Sequence, residues 1–329
     1  SGNDSEQHGA QVRQIAVVCI LFFAVYLGNS LCLSLFPNYL LRLGLGSVSI
    51  GIALMVYSAS QSFTFLPSGR LSDRLGRRPL MISGSFLLAL SALLLSLSNR
   101  IETTIVALVG EGIGLGLLVP SGNALISDVV RGRRSGLAFA VYQIATLASA
   151  AVGSFAAGAL AETAGFQAMF ALSAVLCGAT TVFGYATVPR MHTRSRSSYS
   201  SAVAHSLRSS ITGTASILRS NRELTLLTGA LVIHSLGFSM INPFIPLFAE
   251  EGIHLDIAQV GILVGVWNLG ITIAQIPSGH LTDRFGARPL LLSHFILSSF
   301  SWSLYALSPN FEIGLATMMF FGIVGALDM

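Results

Sequence analysis

Glu111 stands in Gly110-Glu111-Gly112-Ile113-Gly114-Leu115-Gly116, a carboxyl group among alternating glycines inside the apolar run 102–127. It follows Glu102, at the start of that run, by nine residues. A helix rising 1.5 Å per residue therefore carries it about 13 Å in, close to the midplane of a bilayer. An ionisable group at that depth is costly and serves to carry a proton or to meet a polar solute; a hydrogen-bonded structural carboxyl is the alternative. His234 reaches a similar depth in the run 225–249, on a helical stripe with Ser235, Phe238, Ser239 and Asn242. It either lines a cavity or bonds a neighbouring backbone carbonyl. Three more stripes recur at helical spacing: Tyr26, Asn29, Ser30 and Ser34; Tyr142, Thr146 and Ser149; and Asn268, Thr272 and Gln275 with Trp267 adjacent. Each alone could be interhelical glue at about 1 kcal/mol per bond, but together they point to a central cavity of mixed polar and aromatic character.

Apolar runs must hold these groups. Hydrophobic residues make up 53% of the chain and charged residues 10%, against about 25% charged in soluble domains, and the mean hydropathy is +0.73. Ten runs are long enough, or nearly so, to cross a bilayer: 14–41, 48–68, 79–98, 102–127, 136–161, 166–188, 225–249, 257–278, 289–308 and 311–329. The expectation is an all-α integral membrane protein with a tail at 1–13, six helices over 14–188, a linker at 189–224 and four helices over 225–329. All 18 basic residues are arginine. With the N-terminus in the cytoplasm, all of them except Arg42 and Arg100 fall in cytoplasmic segments, while Glu102, Glu162, Glu250, Glu251, Asp256 and Glu312 fall outside, as the positive-inside rule requires. The net charge of +4 is thus a feature facing the cytoplasmic leaflet and calls for no nucleic-acid partner. Within the linker Val203, Leu207, Ile211 and Leu218 recur at nearly helical spacing, either as an amphipathic helix on anionic headgroups or as a disordered basic linker. Cys19, Cys32 and Cys177 sit in apolar runs with no metal-binding spacing.

The chain repeats itself. Gly69-Arg-Leu-Ser-Asp73-Arg74-Leu-Gly76-Arg77-Arg78-Pro79 returns as Gly279-His-Leu-Thr-Asp283-Arg284-Phe-Gly286-Ala287-Arg288-Pro289, 210 residues later, each after Pro-Ser. Gly51 and Gly261 match at the same offset, and Pro37 matches Pro246 at 209. Runs one to four thus map on seven to ten, and duplicated helix blocks are a mark of transporter architecture. In each turn the second glycine supplies the freedom a tight reversal needs, and the proline suits the first turn of the next helix. Asp73 can pair with Arg74, Arg77 or Arg134, or sit at a helix N-terminus.

Together these features resemble the major facilitator superfamily of secondary transporters. Gly69, Asp73, Arg74, Gly76, Arg77 and Arg78 match its loop signature in full; Gly279, Asp283, Arg284, Gly286 and Arg288 match the second copy, with Ala287 in place of a basic residue. The resemblance implies two pseudo-symmetric helix bundles, twelve helices of which about ten are present here, and a C-terminally incomplete second half. It also implies that Asp73 helps to lock the cytoplasmic side, and that Glu111, Asn29 and His234 converge on the cavity. The branch it is closest to is the drug:proton antiporters, with two departures. Leu108 stands where those proteins carry an arginine, and Gly153, Ser154, Ala157 and Gly158 stand where they carry Gly-Pro-x-x-Gly-Gly.

The expected function is secondary transport of a small organic solute by alternating access. Proton-coupled efflux through the plasma membrane is placed ahead of uptake or of a non-transporting truncated product. The solute would be neutral, amphipathic or cationic, the coupling ion a proton, the protein a monomer in the lipid bilayer. No cofactor is expected. Without lysine there is no Gly-x-x-x-x-Gly-Lys loop for ATP, and no His-Glu-x-x-His or Gly-x-Ser-x-Gly motif of an enzyme occurs.

Overall fold

Proline placement decides where the apolar runs break. The computed structural model describes residues 2–129, 135–188 and 221–328, without the side chains of residues 2–14, 66, 70, 73, 74, 129, 135–139 and 328. The first run forms α1 (Gly2–Leu33) and, with Pro37 in its first turn, α2 (Phe36–Arg42). The helix thus extends through residues expected to be a tail. The matching run of the second half forms α8 (Arg222–Ile241), a 3-10 turn at Asn242–Phe244 and α9 (Ile245–Glu251), again with proline entering each new piece. Proline has no N–H to give and is tolerated where the first turn needs none, so it starts a helix more readily than it continues one.

Between these lie α3 (Ser47–Leu75), α4 (Arg77–Leu97), α5 (Ile101–Val129), α6 (Ser135–Thr163) and α7 (Gly165–Thr187). The second half continues with α10 (Ile257–Phe285), α11 (Ala287–Ala306) and α12 (Phe311–Gly325). All ten expected runs are helical, and eight segments among the described residues are long and apolar enough to cross a membrane. The last two fall short for physical reasons. Ser293, Ser298, Ser299, Ser301 and Ser303 dilute α11, and α12 has 15 residues. The amphipathic stretch expected at 203–218 lies outside the described residues.

Gly76 (φ 100) and Gly286 (φ 81) make the reversals of the two repeated turns, in a region of backbone space that L side chains avoid. α10 starts on a reciprocal capping box, the Asp256 carboxylate accepting from the Gln259 amide while the Gln259 side chain accepts from the Asp256 N–H.

In the first half α5 packs on α3 and α4, α4 on α7, and α1 on α6 and α7. In the second half α12 packs on α10 and α11, whereas α8 buries no residue fully. The halves meet chiefly where α6 crosses α10. There Gly158 and Gly261 touch backbone to backbone: a Cβ on Gly158 would lie 2.8 Å from the Gly261 Cα.

A second contact joins α2 to α9 at the end opposite the repeated turns. Asn38, wholly buried, donates through Nδ2 to the Pro246 carbonyl (3.0 Å) and to Glu250 Oε2 (2.7 Å), and Arg42 reaches Glu250 Oε1 (2.7 Å). The Arg42 side chain is 59% exposed, so its ion pair contributes little. The half-buried, charge-assisted bond from Asn38 contributes about 1.5–3 kcal/mol. Glu250→Ala is therefore expected to raise the labelling rate of a cysteine placed at Ser34, with a membrane-impermeant maleimide added from the α2/α9 side, by roughly tenfold or more. An unchanged rate would mean that the contact does not hold this end shut.

Candidate functional site

Three consecutive residues of α1 face three different neighbours. Gly28 is pressed against α7, where Ser173 donates to its carbonyl at 2.6 Å and the Cys177 sulfur leaves no room for a Cβ. Ser30 turns to α6, donating to the Ala150 carbonyl at 2.9 Å and lying 3.3 Å from Ser154 Oγ. Steps of about 100° per residue then turn Asn29 elsewhere, toward α5, where its Nδ2 donates to Glu111 Oε2 at 3.3 Å.

The glycines around Glu111 explain its own direction. Gly110 and Gly114, four apart, pack against Ser91, Gly84 and Leu88 of α4, while Gly112 and Gly116 pack against α3 at Tyr57, Gln61 and Thr64. Small residues at i and i+4 let two helices approach on two faces of α5, and the face left over carries Glu111 toward α1. Glu111 is 1% exposed, and its Oε1 has no hydrogen-bond partner among the described residues.

Asn29 has a second neighbour, a cavity of about 390 Å³ between the halves. On the first-half side the wall is hydroxylic and amidic: Tyr26, Asn29, Ser30, Ser34, Tyr57 and Ser58. On the second-half side it combines Phe238 and Trp267 with Ser239, Asn242 and Asn268. Phe238 and Trp267 are tilted to each other (6.3 Å, 51°); Trp267 stacks on Phe321 (5.6 Å, 22°), and Phe321 lies 4.4 Å from Trp302, so the aromatic wall is backed by further rings. Asn268 is oriented by donating to the Val264 carbonyl of its own helix at 2.9 Å. Pro37, Ile245 and Pro246 close the cavity beneath the α2/α9 contact.

Of the candidate residues, the structure brings together Tyr26, Asn29, Trp267 and Asn268 on the wall, with Glu111 directly behind Asn29. It does not bring His234 there. That ring turns to α11, with Nε2 3.0 Å from Nε2 of His294, whose Nδ1 lies 3.0 Å from the Val324 carbonyl. Nor does Tyr142 reach the wall; it is buried edge-on against Phe22 at 5.2 Å. His294, Tyr57, Asn38 and Glu250 were not singled out from the sequence. Asn38 adjoins Pro37, whose repeat partner Pro246 it bonds.

Around the repeated turns, Arg77 Nε donates to Asp128 Oδ2 at 3.0 Å, tying the start of α4 to the end of α5. Arg78 stacks on the Tyr185 ring at 4.9 Å and donates to the Tyr185 carbonyl. The expected pairings of Asp73 and Arg74 lie outside the described side chains. Gly69 and Gly279 are exposed with open space around them. Asp283, Arg284 and Arg288 are likewise exposed, Arg284 lying over its neighbour Phe285. Among the described residues the halves meet at the α2/α9 end and at the α6/α10 crossing, while those of the second repeated turn are exposed.

The family model of the major facilitator superfamily matches residues 18–234 and 227–329. Over 159 residues the chain is 31% identical to an uncharacterized transporter of Buchnera aphidicola, a match covering 48% of this chain and 40% of that one. Over 117 residues it is 27% identical to the quinolone resistance protein NorA of Staphylococcus aureus, covering 36% and 30%. An uncharacterized MFS-type transporter of Mycobacterium tuberculosis is 27% identical over 149 residues, 45% of this chain and 26% of that one. The chain thus aligns with less than half the length of these relatives. Among solved structures the nucleoside transporter NupG superposes with a TM-score of 0.78 at 13% identity, over 96% of this chain and 80% of its own. A D-xylose-proton symporter does so at 0.67 and 15%, with the same coverage. Relatives and fold are those of transporters and not of enzymes, and the protein is a multi-pass membrane protein. The duplicated turns, the paired helix bundles and the family match over nearly the whole chain agree: it belongs to the major facilitator superfamily.

Proposed function

We propose that this chain exports a small amphipathic solute, neutral or cationic, through the plasma membrane by alternating access in exchange for protons. It does so as a monomer with the N-terminus and the repeated turns in the cytoplasm. The observation that carries this reading is the cavity between the halves, with an aromatic wall facing a polar one and a buried carboxyl group one side chain behind the latter. A planar apolar body suits Phe238 and Trp267, a polar end suits the amides and hydroxyls opposite, and Glu111 can hold or release a proton one side chain from the cavity. The outward direction is supported by the likeness to a quinolone resistance protein over 117 residues. Proton-coupled uptake is the second reading; what favours it is Leu108 and the proline-free segment 153–158, where the chain departs from the drug-antiporter pattern.

Purified protein in liposomes tests this with ethidium, a permanently charged aromatic cation that is not trapped by protonation. Antiport predicts that ethidium accumulates when the lumen is acid, symport that it accumulates when the lumen is alkaline. The sign does not depend on how the protein inserts. No accumulation above protein-free liposomes under either gradient, for ethidium and for the neutral comparison uridine, would overturn proton-coupled transport of this solute class.

A further inference from the structure

We propose that Asn29 is the positioning residue through which a solute in the cavity and the proton on Glu111 sense one another, by turning over its side-chain amide. The inference rests on the reading of Glu111 as the proton carrier.

Glu111 is buried behind Asn29 and is not itself part of the cavity wall, whereas Asn29 both lines the cavity and bonds the carboxyl group. A solute therefore meets Asn29 first. The titratable groups that face Glu111 are Cys32 of α1, Tyr57 of α3 and Cys177 of α7, and none of these is a cation. No arginine or histidine among the described residues acts on it. A carboxylate here has no counter-ion among the described residues; its charge is relieved by the Asn29 amide and the Cys32 thiol or by a proton, and of these Asn29 alone faces the cavity.

An asparagine side chain carries two donors and one acceptor on opposite edges. With Glu111 ionised, Nδ2 must point at Oε2, as it does here, and Oδ1 is left for the cavity. With Glu111 protonated, the new O–H is a donor and needs an acceptor, and rotation of the amide by half a turn brings Oδ1 to it and turns Nδ2 to the cavity. The observed bond, 3.3 Å long, is at the weak end of the normal range and is readily exchanged. The wall thus presents an acceptor when Glu111 is charged and a donor when it is neutral. A solute bearing an N–H favours the first state and expels the proton, which is the sign antiport requires, because ligands that prefer one state shift the population toward it.

The test is the pH dependence of ethidium binding to the purified protein, followed by ethidium fluorescence. Ethidium carries aromatic amino groups. Wild type is expected to bind it about tenfold more weakly for each unit the pH falls across the coupled range, as linkage to one proton requires. Asn29→Leu, which can neither donate nor accept, is expected to bind with a nearly flat profile, and Asn29→Gln, which keeps the amide, to restore at least half the slope. Wild type alone supplies a check that needs no variant: tetraphenylphosphonium, a cation without N–H groups, is expected to show a shallower slope than ethidium. A wild-type slope in Asn29→Leu, or equal slopes for the two cations, overturns the role of Asn29. If Glu111→Gln also keeps the wild-type slope, or if wild type fails to bind ethidium, the underlying reading of the site fails instead.

Discussion

Glu111→Gln is expected to abolish the accumulation of ethidium driven by a pH gradient while preserving its downhill exchange. The amide is nearly isosteric with the acid and still offers an oxygen to Asn29 Nδ2, so the helix contacts around Gly110–Gly116 are not disturbed. Removing an ionisable group from a site with no counter-ion also lowers the cost of burial. What disappears is the exchangeable proton. In one-for-one exchange of a monovalent cation for a proton, each pH unit supports about a tenfold concentration ratio, equivalent to about 1.4 kcal/mol. A gradient of about 1.5 units thus sustains roughly thirtyfold accumulation in wild type and a ratio near one in the variant. Quenched-flow fluorescence on liposomes measures both numbers, and a variant that still accumulates ethidium to the wild-type ratio would place the coupling proton on another group.

The second large effect belongs to the α6/α10 crossing. A Cβ at residue 261 would land on the Cα of Gly158, and both partners are backbone. Gly261→Val must therefore drive the two helices apart, whereas a clash with a flexible side chain could relax. Overpacking of this kind costs about 1–3 kcal/mol, and because the crossing is the main contact between the halves, the cost falls on whichever conformations need it closed. Transport is expected to drop by roughly ten- to a hundredfold with membrane insertion intact. Gly237→Ala in α8, where an added methyl meets nothing within 4 Å, serves as the control and is expected to transport normally. The double variant Gly158→Ala/Gly261→Ala should cost less than the sum of its parts, since the first methyl already separates the helices.

Every long apolar helix among the described residues was legible in the sequence, because apolar length is set by the bilayer and needs no knowledge of packing. It also placed the repeated turns, because a glycine at positive φ followed by proline is a local requirement, met at Gly76 and Gly286. Glu111 and Asn29 were each legible as polar groups within apolar runs, and that they converge came only from family resemblance. Tyr142 shows the limit. A stripe at helical spacing says that residues share a face, but which neighbour that face meets is decided by packing, and Tyr142 meets Phe22. His234 fails in the same way, its depth being right and its partner, His294, lying on a helix whose serines had drawn no attention. The Asn38–Glu250 contact depends on two segments 212 residues apart, yet a sign of it was present. Pro37 and Pro246 occupy equivalent places in the two repeats, and equivalent places near a pseudo-twofold axis approach one another.

The position of the glycine crossing along its helices gives the molecule a mechanical advantage. Gly261 is four residues from the start of α10 and 24 from its end, or about 6 Å and about 36 Å along the axis. If α10 turns as a rigid lever about that fulcrum, the long arm moves roughly six times as far as the short one. A shift of about 1 Å at the start of α10, just after the α9 segment that carries Glu250, corresponds to about 6 Å of travel at the repeated turn. Two or three short polar contacts at the narrow end can thus govern a wide mouth at the other, and the strength of those few bonds sets the ease with which the whole bundle changes its gape.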